Sequence, residues 1–151
     1  GAIGAVRSLA ARLAPSLPAS SFRQEPVDAS SFPGGCADVV LSNAVLHFAR
    51  DEEHFLAKLR GTWRLLAPGG LFFCRLASSI GMEDRVKPLG GRRYALPDGT
   101  DRYLVDEAYL VALTAGLGGK LLDPIKTTVV AGQRAMTTWV VRKGAANALG
   151  E

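Results

Sequence analysis

The sequence predicts a parallel α/β domain. Two short, nearly continuous apolar runs, Asp38-Val39-Val40-Leu41-Ser42 and Leu71 to Leu76, have the look of strands covered on both faces. Between them lies an amphipathic helical pattern with a glycine-rich stop, so strand, helix, tight turn and strand follow in the order of a right-handed crossover. Near the carboxyl end, two alternating stretches flank Ala131-Gly132-Gln133-Arg134, which predicts an antiparallel hairpin.

The elements follow in chain order. Ile3, Val6, Leu9, Ala10 and Leu13 recur at helical spacing with Arg7 and Arg12 off the stripe, so a helix runs from residue 2 to about 14, where Pro15 and Pro18 stop it. Phe22 to Val27 reads as a short strand, confined to an edge by Pro26, and Ser30 to Gly35 reads as a turn. Asp51 caps a helix to about Leu66 in which Phe55, Leu56, Leu59, Trp63 and Leu66 share one face, and Pro68-Gly69-Gly70 ends it. Residues 78–103 are rich in Gly, Arg and Pro with little periodicity, which suits a substrate lid or loop insertion. Asp106 or Glu107 opens a helix through Leu117, closed by Gly118-Gly119. Lys120 to Val130 and Met136 to Arg142 are the hairpin arms, and residues 144–151 form a flexible tail.

At 151 residues, 48% hydrophobic and 21% charged, the chain has the balance of one compact domain. Its net charge is +4, yet the basic residues are scattered, with Arg92-Arg93 the longest run, so no nucleic-acid partner is expected. Nowhere do about 18 apolar residues run together, which excludes a membrane span on hydropathy, and the default expectation is a cytoplasmic protein. Cys36 and Cys74 form no CxxC, so neither a disulfide framework nor a zinc site is expected, and both are read as reduced and buried. His47 and His54 lack a third ligand, and no metal is assigned.

The run Phe32-Pro33-Gly34-Gly35-Cys36-Ala37-Asp38-Val39-Val40-Leu41-Ser42-Asn43-Ala44-Val45-Leu46-His47-Phe48 precedes the amphipathic helix, after which comes Trp63-Arg64-Leu65-Leu66-Ala67-Pro68-Gly69-Gly70-Leu71. Together these segments resemble the class I S-adenosylmethionine-dependent methyltransferases of the methyltransferase 11 type. That family carries F-D-V-V in its fourth strand, V-L-H after it and R-V-L-x-P-G-G before the fifth; here Ala37 replaces the Phe and Leu65 the Val. Taken alone, Pro-Gly-Gly is an ordinary helix stop; the combination carries the likeness, which extends over residues 2–143. It implies a Rossmann-like sheet, mostly parallel with a C-terminal antiparallel hairpin, and S-adenosyl-L-methionine as cofactor. The implied reaction is in-line displacement at the sulfonium methyl by a small-molecule acceptor.

The resemblance also implies roles for particular residues. Ser42, Asn43 and Ala44, just past the fourth strand, would face the methionine part of the cofactor, the alternative being a simple turn. The family's acidic position near the adenine falls at Pro26-Val27, leaving a backbone N–H of Val27 or Asp28 for that contact. His47 is the residue placed to take a proton from a hydroxyl or carbon acid, the alternative being a structural histidine. Arg75, Arg85, Arg92 and Arg93 are available to an acidic acceptor, or else make a solvated loop face.

The family's glycine-rich loop and the carboxylate that holds the ribose have no counterpart in the sequence. The expectation is thus an N-terminally truncated domain, missing its first two strands and inactive alone, with an unpaired fourth-strand edge open to self-association. A non-catalytic methyltransferase-like module that binds a partner is the alternative. A nicotinamide-dependent oxidoreductase is disfavoured because G-x-G-x-x-G is absent too.

Overall fold

The computed structural model describes residues 1–145; part of the expected C-terminal tail, residues 146–151, lies outside them. Helix α1 (Ala2–Leu13) leads through two single 3-10 turns, Ala19–Ser21 and Val27–Ala29, to strand β1 (Ala37–Asn43). A further 3-10 turn, Leu46–Phe48, precedes helix α2 (Glu52–Leu65) and strand β2 (Leu66–Ser78). Then come β3 (Lys87–Gly90), β4 (Arg93–Ala95), β5 (Asp101–Tyr103), helix α3 (Glu107–Gly116), β6 (Gly119–Leu121), β7 (Lys126–Val130) and β8 (Arg134–Lys143).

The main sheet has the order β1-β2-β8-β6, with β7 also pairing β8. It is parallel where it starts, between β1 and β2, and antiparallel in the pairings that β8 makes with β2, β6 and β7. Because side chains alternate across a strand, the register sorts residues into two faces. Val40, Phe72 and Val141 align on one of them, as do Ser42, Cys74 and Trp139. This face meets Phe55, Leu59 and Trp63 of α2 and Leu110 of α3 in the main core. Phe72 sits edge-on to both Trp63 and Trp139, with ring centroids 6.1 and 5.6 Å away. The helices start where acidic caps satisfy the free first-turn amides: Asp51 accepts the N–H of His54, and Asp106 that of Tyr109, each at 2.8 Å.

The opposite face is open at β1. Val39 and Leu41, expected to be covered on both sides, are 55% and 72% exposed. β1 pairs with β2 alone, so its other edge carries no strand among the described residues. Helix α1 buries none of its residues and is tied to the chain by Arg7, which donates to the carbonyl of Phe22 at 2.8 Å.

Four expectations are corrected. Phe22 to Val27 is no strand, since Pro26 lacks a donor and instead opens the turn Val27–Ala29. Residues 78–103 are not an aperiodic loop: β3, β4 and β5 form a second, antiparallel sheet. Leu96 packs with Ala77, Leu104 and Met136 in a second core, which anchors that sheet to the first. Pro68-Gly69-Gly70 lies inside β2, where the pairing with β1 is irregular, because the chain passes directly from α2 into β2. Cys36 is exposed, and only Cys74 is buried. No helix among the described residues is long and apolar enough to cross a membrane.

Candidate active site

The carboxyl end of β1 divides two cavities. Ser42 and Val45 open onto the first, of about 660 Å³, which also takes in Pro26, Val27 and Asp28 from the preceding turn and Lys58 and Thr62 from α2. Ala44 and His47 open onto the second, of about 410 Å³. Of the residues the sequence assigns to a cofactor, four therefore meet at one cleft and Ala44 turns away from it. Asn43 lines neither cavity and is exposed beside Arg75 in the β1–β2 register.

The first cleft is held by contacts that are local in space but not in sequence. The turn Val27–Ala29 sits against α2 at Gly61, where a Cβ would come within 2.5 Å of the Val27 carbonyl oxygen. The Glu25 carboxylate accepts the N–H of Ser31 at 2.8 Å and also the Ser31 hydroxyl, bonds that hold its carboxyl below the usual range. Arg64 reaches back from α2 to the carbonyl of Ser30 at 2.8 Å. At the cleft wall, Ser42 is 3% exposed, with its hydroxyl turned inward toward the Cys74 thiol that pairs with it in the register. Opposite Ser42 in the register, burial pushes the Cys74 thiol up to about 12, so it stays protonated and takes no part as a nucleophile.

Ala44 has φ of 56°, the left-handed region that non-glycine residues seldom enter, and its N–H donates to the Arg75 carbonyl at 2.9 Å. That bend sends consecutive residues into different cavities. His47 follows in a 3-10 turn and is 5% exposed. Its Nδ1 accepts the N–H of Ala77 at 2.9 Å. Burial, joined by the charges of Arg102, Lys58, Arg75 and Arg134, pushes its pKa down to about 4, so the ring is neutral.

The sequence pointed to four arginines, and only Arg75 lines the second cavity. Arg85 donates to the Gly132 carbonyl, Arg92 is paired with Asp106 at 2.8 Å, and Arg93 donates to the Ala49 carbonyl at 3.2 Å. Arg102 and Arg134 take their places, together with Asp98. No local pattern distinguishes these two arginines: Arg102, on β5 of the small sheet, stands opposite Tyr94, and Arg134 opens β8 opposite Val130.

Residues 4–74 match the family model described as a methyltransferase domain. This segment is similar to that family. The match spans α1, β1, α2 and most of β2, and hence both Ser42 and His47. Among solved structures, a SAM-dependent methyltransferase from Methanosarcina mazei aligns with a TM-score of 0.67 at 16% identity, covering 83% of this chain and 68% of its own. The 1,6-didemethyltoxoflavin-N1-methyltransferase of Burkholderia thailandensis, solved with its substrate and S-adenosylhomocysteine, aligns with a TM-score of 0.66 at 19% identity, covering 91% of this chain and 56% of its own. The [4+2]-cyclase SpnF aligns with a TM-score of 0.64 at 15% identity, covering 94% and 62%. The chain thus spans 56–68% of the length of these proteins. At such identities the likeness establishes the fold, the α/β methyltransferase sheet. No curated protein matches the sequence.

Proposed function

We propose that the chain takes part in S-adenosylmethionine-dependent methyl transfer to a small molecule, with the cofactor in the first cleft and the acceptor in the second cavity. The observation that carries this reading is the division of the two cavities by one strand end, Ser42 on one side and Ala44 with His47 on the other. Open α/β sheets bind ligands outside the carboxyl ends of their strands, which is where both cavities lie. The backbone of the Val27 turn and the polar side chains of Asp28, Lys58 and Thr62 that line the first cleft are groups that suit a polar cofactor.

When bound, S-adenosylmethionine would supply an activated methyl group, open to in-line attack by an acceptor nucleophile with S-adenosylhomocysteine as the leaving group. The chain's own part is alignment and exclusion of water. Ala44 and Val45 form the partition between the two ligands, and the strained φ of Ala44 fixes its position. With Nδ1 occupied by the Ala77 amide, the neutral His47 ring carries its proton on Nε2, so it offers the acceptor a hydrogen bond. Donation is therefore favoured over the proton abstraction expected from the sequence, and the acceptor's proton leaves to solvent.

A second reading, a non-catalytic module that binds a partner, draws on the open β1 edge and the exposed Leu41 beside it. The same fold also belongs to a protein described as a cyclase, so fold alone does not choose the chemistry. Thermal unfolding with millimolar S-adenosylhomocysteine separates the readings. Methyl transfer predicts a raised Tm that Ser42→Ala reduces; an unchanged Tm in both proteins supports the module.

A further inference from the structure

The second cavity has an uneven charge balance. Arg75, Arg102 and Arg134 line it against one carboxylate, that of Asp98. That carboxylate is already engaged: it accepts the N–H of Thr100 at 3.0 Å and the Thr100 hydroxyl at 2.5 Å, and it faces Arg134 at 4.0 Å. Those bonds, the Thr100 hydroxyl's foremost, hold the Asp98 carboxyl below its ordinary value, so it is ionised and matched to Arg134. Two guanidinium groups remain. The Arg75 guanidinium has no hydrogen-bond or ion-pair partner among the described residues, although the side chain is half-buried. Arg102 lies 4.7 Å over the Phe48 ring, donates to the Asp101 carbonyl at 2.7 Å and shares the field of the one Asp98 carboxylate with Arg134, so the three guanidinium groups keep an excess of positive charge.

The neutral state of His47 adds a third donor and no further charge. Apart from Thr100, which is engaged by Asp98, the rest of the wall is apolar, with Phe48, Leu96, Val130 and Met136. Half-buried guanidinium groups in excess over carboxylates bind oxyanions through charge-assisted, often bidentate, hydrogen bonds. The apolar wall calls for a hydrophobic body on the same ligand.

We propose that the second cavity selects an organic acid, an apolar body bearing a carboxylate or phosphate, with Arg75 and Arg102 binding the oxyanion and His47 donating from Nε2. This rests on the methyl-transfer reading for the claim that the acid is the methyl acceptor; the anion selectivity itself does not.

The test is a nuclear magnetic resonance titration of the isotope-labelled chain with benzoate, phenyl phosphate and the neutral benzamide. Benzoate or phenyl phosphate is expected to shift the amides of Ala44, Ala77 and Thr100, with binding about tenfold tighter than benzamide. The stronger of the two acids identifies the head group. Arg75→Gln is expected to weaken that acid about tenfold and leave benzamide unchanged, while Arg75→Lys retains part of the preference. Arg102→Gln serves as a second variant, with a loss in the same direction. Equal binding of acid and amide, or shifts confined to other surfaces, would overturn the proposal. S-adenosylhomocysteine is titrated into the same samples. Selectivity for the acid without cofactor binding keeps the anion site and removes the methyl-transfer reading. Cofactor binding without selectivity for the acid does the reverse.

Discussion

The Nδ1 atom of His47 accepts the backbone N–H of Ala77 at 2.9 Å, linking the turn after β1 to the end of β2 at the wall of the second cavity. An amide can only donate, so this bond exists only while Nδ1 keeps its lone pair. The pKa of His47 is lowered from 6.5 to about 4, chiefly by burial. Between those values the unfolded chain binds more protons than the folded one at this site, so stability is complete above about 6.5 and falls as the pH drops toward about 4. Replacing His47 by Gln removes this contribution. In urea unfolding, the stability advantage of the parent chain over His47→Gln is expected to shrink from neutral pH to about 4; a difference that stays constant would contradict the neutral, Nδ1-accepting histidine.

Trp139 donates its indole N–H to Thr114 Oγ1 at 2.9 Å, and the Thr114 hydroxyl in turn donates to the Leu110 carbonyl at 2.7 Å. Both side chains are buried. Thr114→Val keeps the shape and leaves the indole N–H without an acceptor, which is expected to cost about 1–3 kcal/mol in chemical denaturation. A loss under about 0.5 kcal/mol would mean that the indole finds another partner.

Gly61 lies in α2, where alanine is ordinarily better by about 1 kcal/mol. Here a Cβ would meet the Val27 oxygen at 2.5 Å and Asp28 Cα at 2.8 Å, both backbone atoms that can yield only if the turn moves. Gly61→Ala is expected to lower stability by about 1–3 kcal/mol. Gly116→Ala, at the end of α3 with nothing within 4 Å, supplies the contrast and should be neutral or stabilising. Equal effects of the two substitutions would show that the turn is not seated on α2.

Leu41 is 72% exposed on β1, which among the described residues is paired along one edge alone. Such an edge templates pairing with another chain, and a lysine on it discourages this. Sedimentation should show concentration-dependent association of the parent chain that Leu41→Lys reduces. A parent chain that stays monomeric at high concentration would rule out association through this edge.

Much of the scaffold is legible in the sequence because it is written locally. Asp51 and the spacing of Phe55, Leu59 and Trp63 define α2 within one turn at either end, and the apolar runs mark β1 and β2. What is lost is whatever depends on neighbours. The alternation of Val39 and Leu41 with Val40 and Ser42 does not tell which face is covered; that follows from α2 and α3 packing on one side alone. The small sheet of residues 87–103 is held by cross-strand pairs and by Leu96 against Met136, which no short period records. The run Arg92-Arg93 draws attention by adjacency, yet Asp106 and the Ala49 carbonyl engage it, while Arg102 and Arg134 reach the cavity from separate strands. Pro26, Val27, Asp28 and Ser42 were legible as a group only through the family resemblance, and they do share a cleft.

The claim on which the rest depends is that β1 ends between a cofactor cleft and an acceptor cavity. Titrating S-adenosylhomocysteine into the isotope-labelled chain at millimolar concentration, and following each amide, examines it directly. Shifts concentrated at Val27, Asp28 and Ser42, diminished by Ser42→Ala, with Ala77 and Thr100 left for the acid probes, are the predicted result. Shifts at Ala77 and Thr100 in place of Val27 and Ser42, or none at either set, would contradict it.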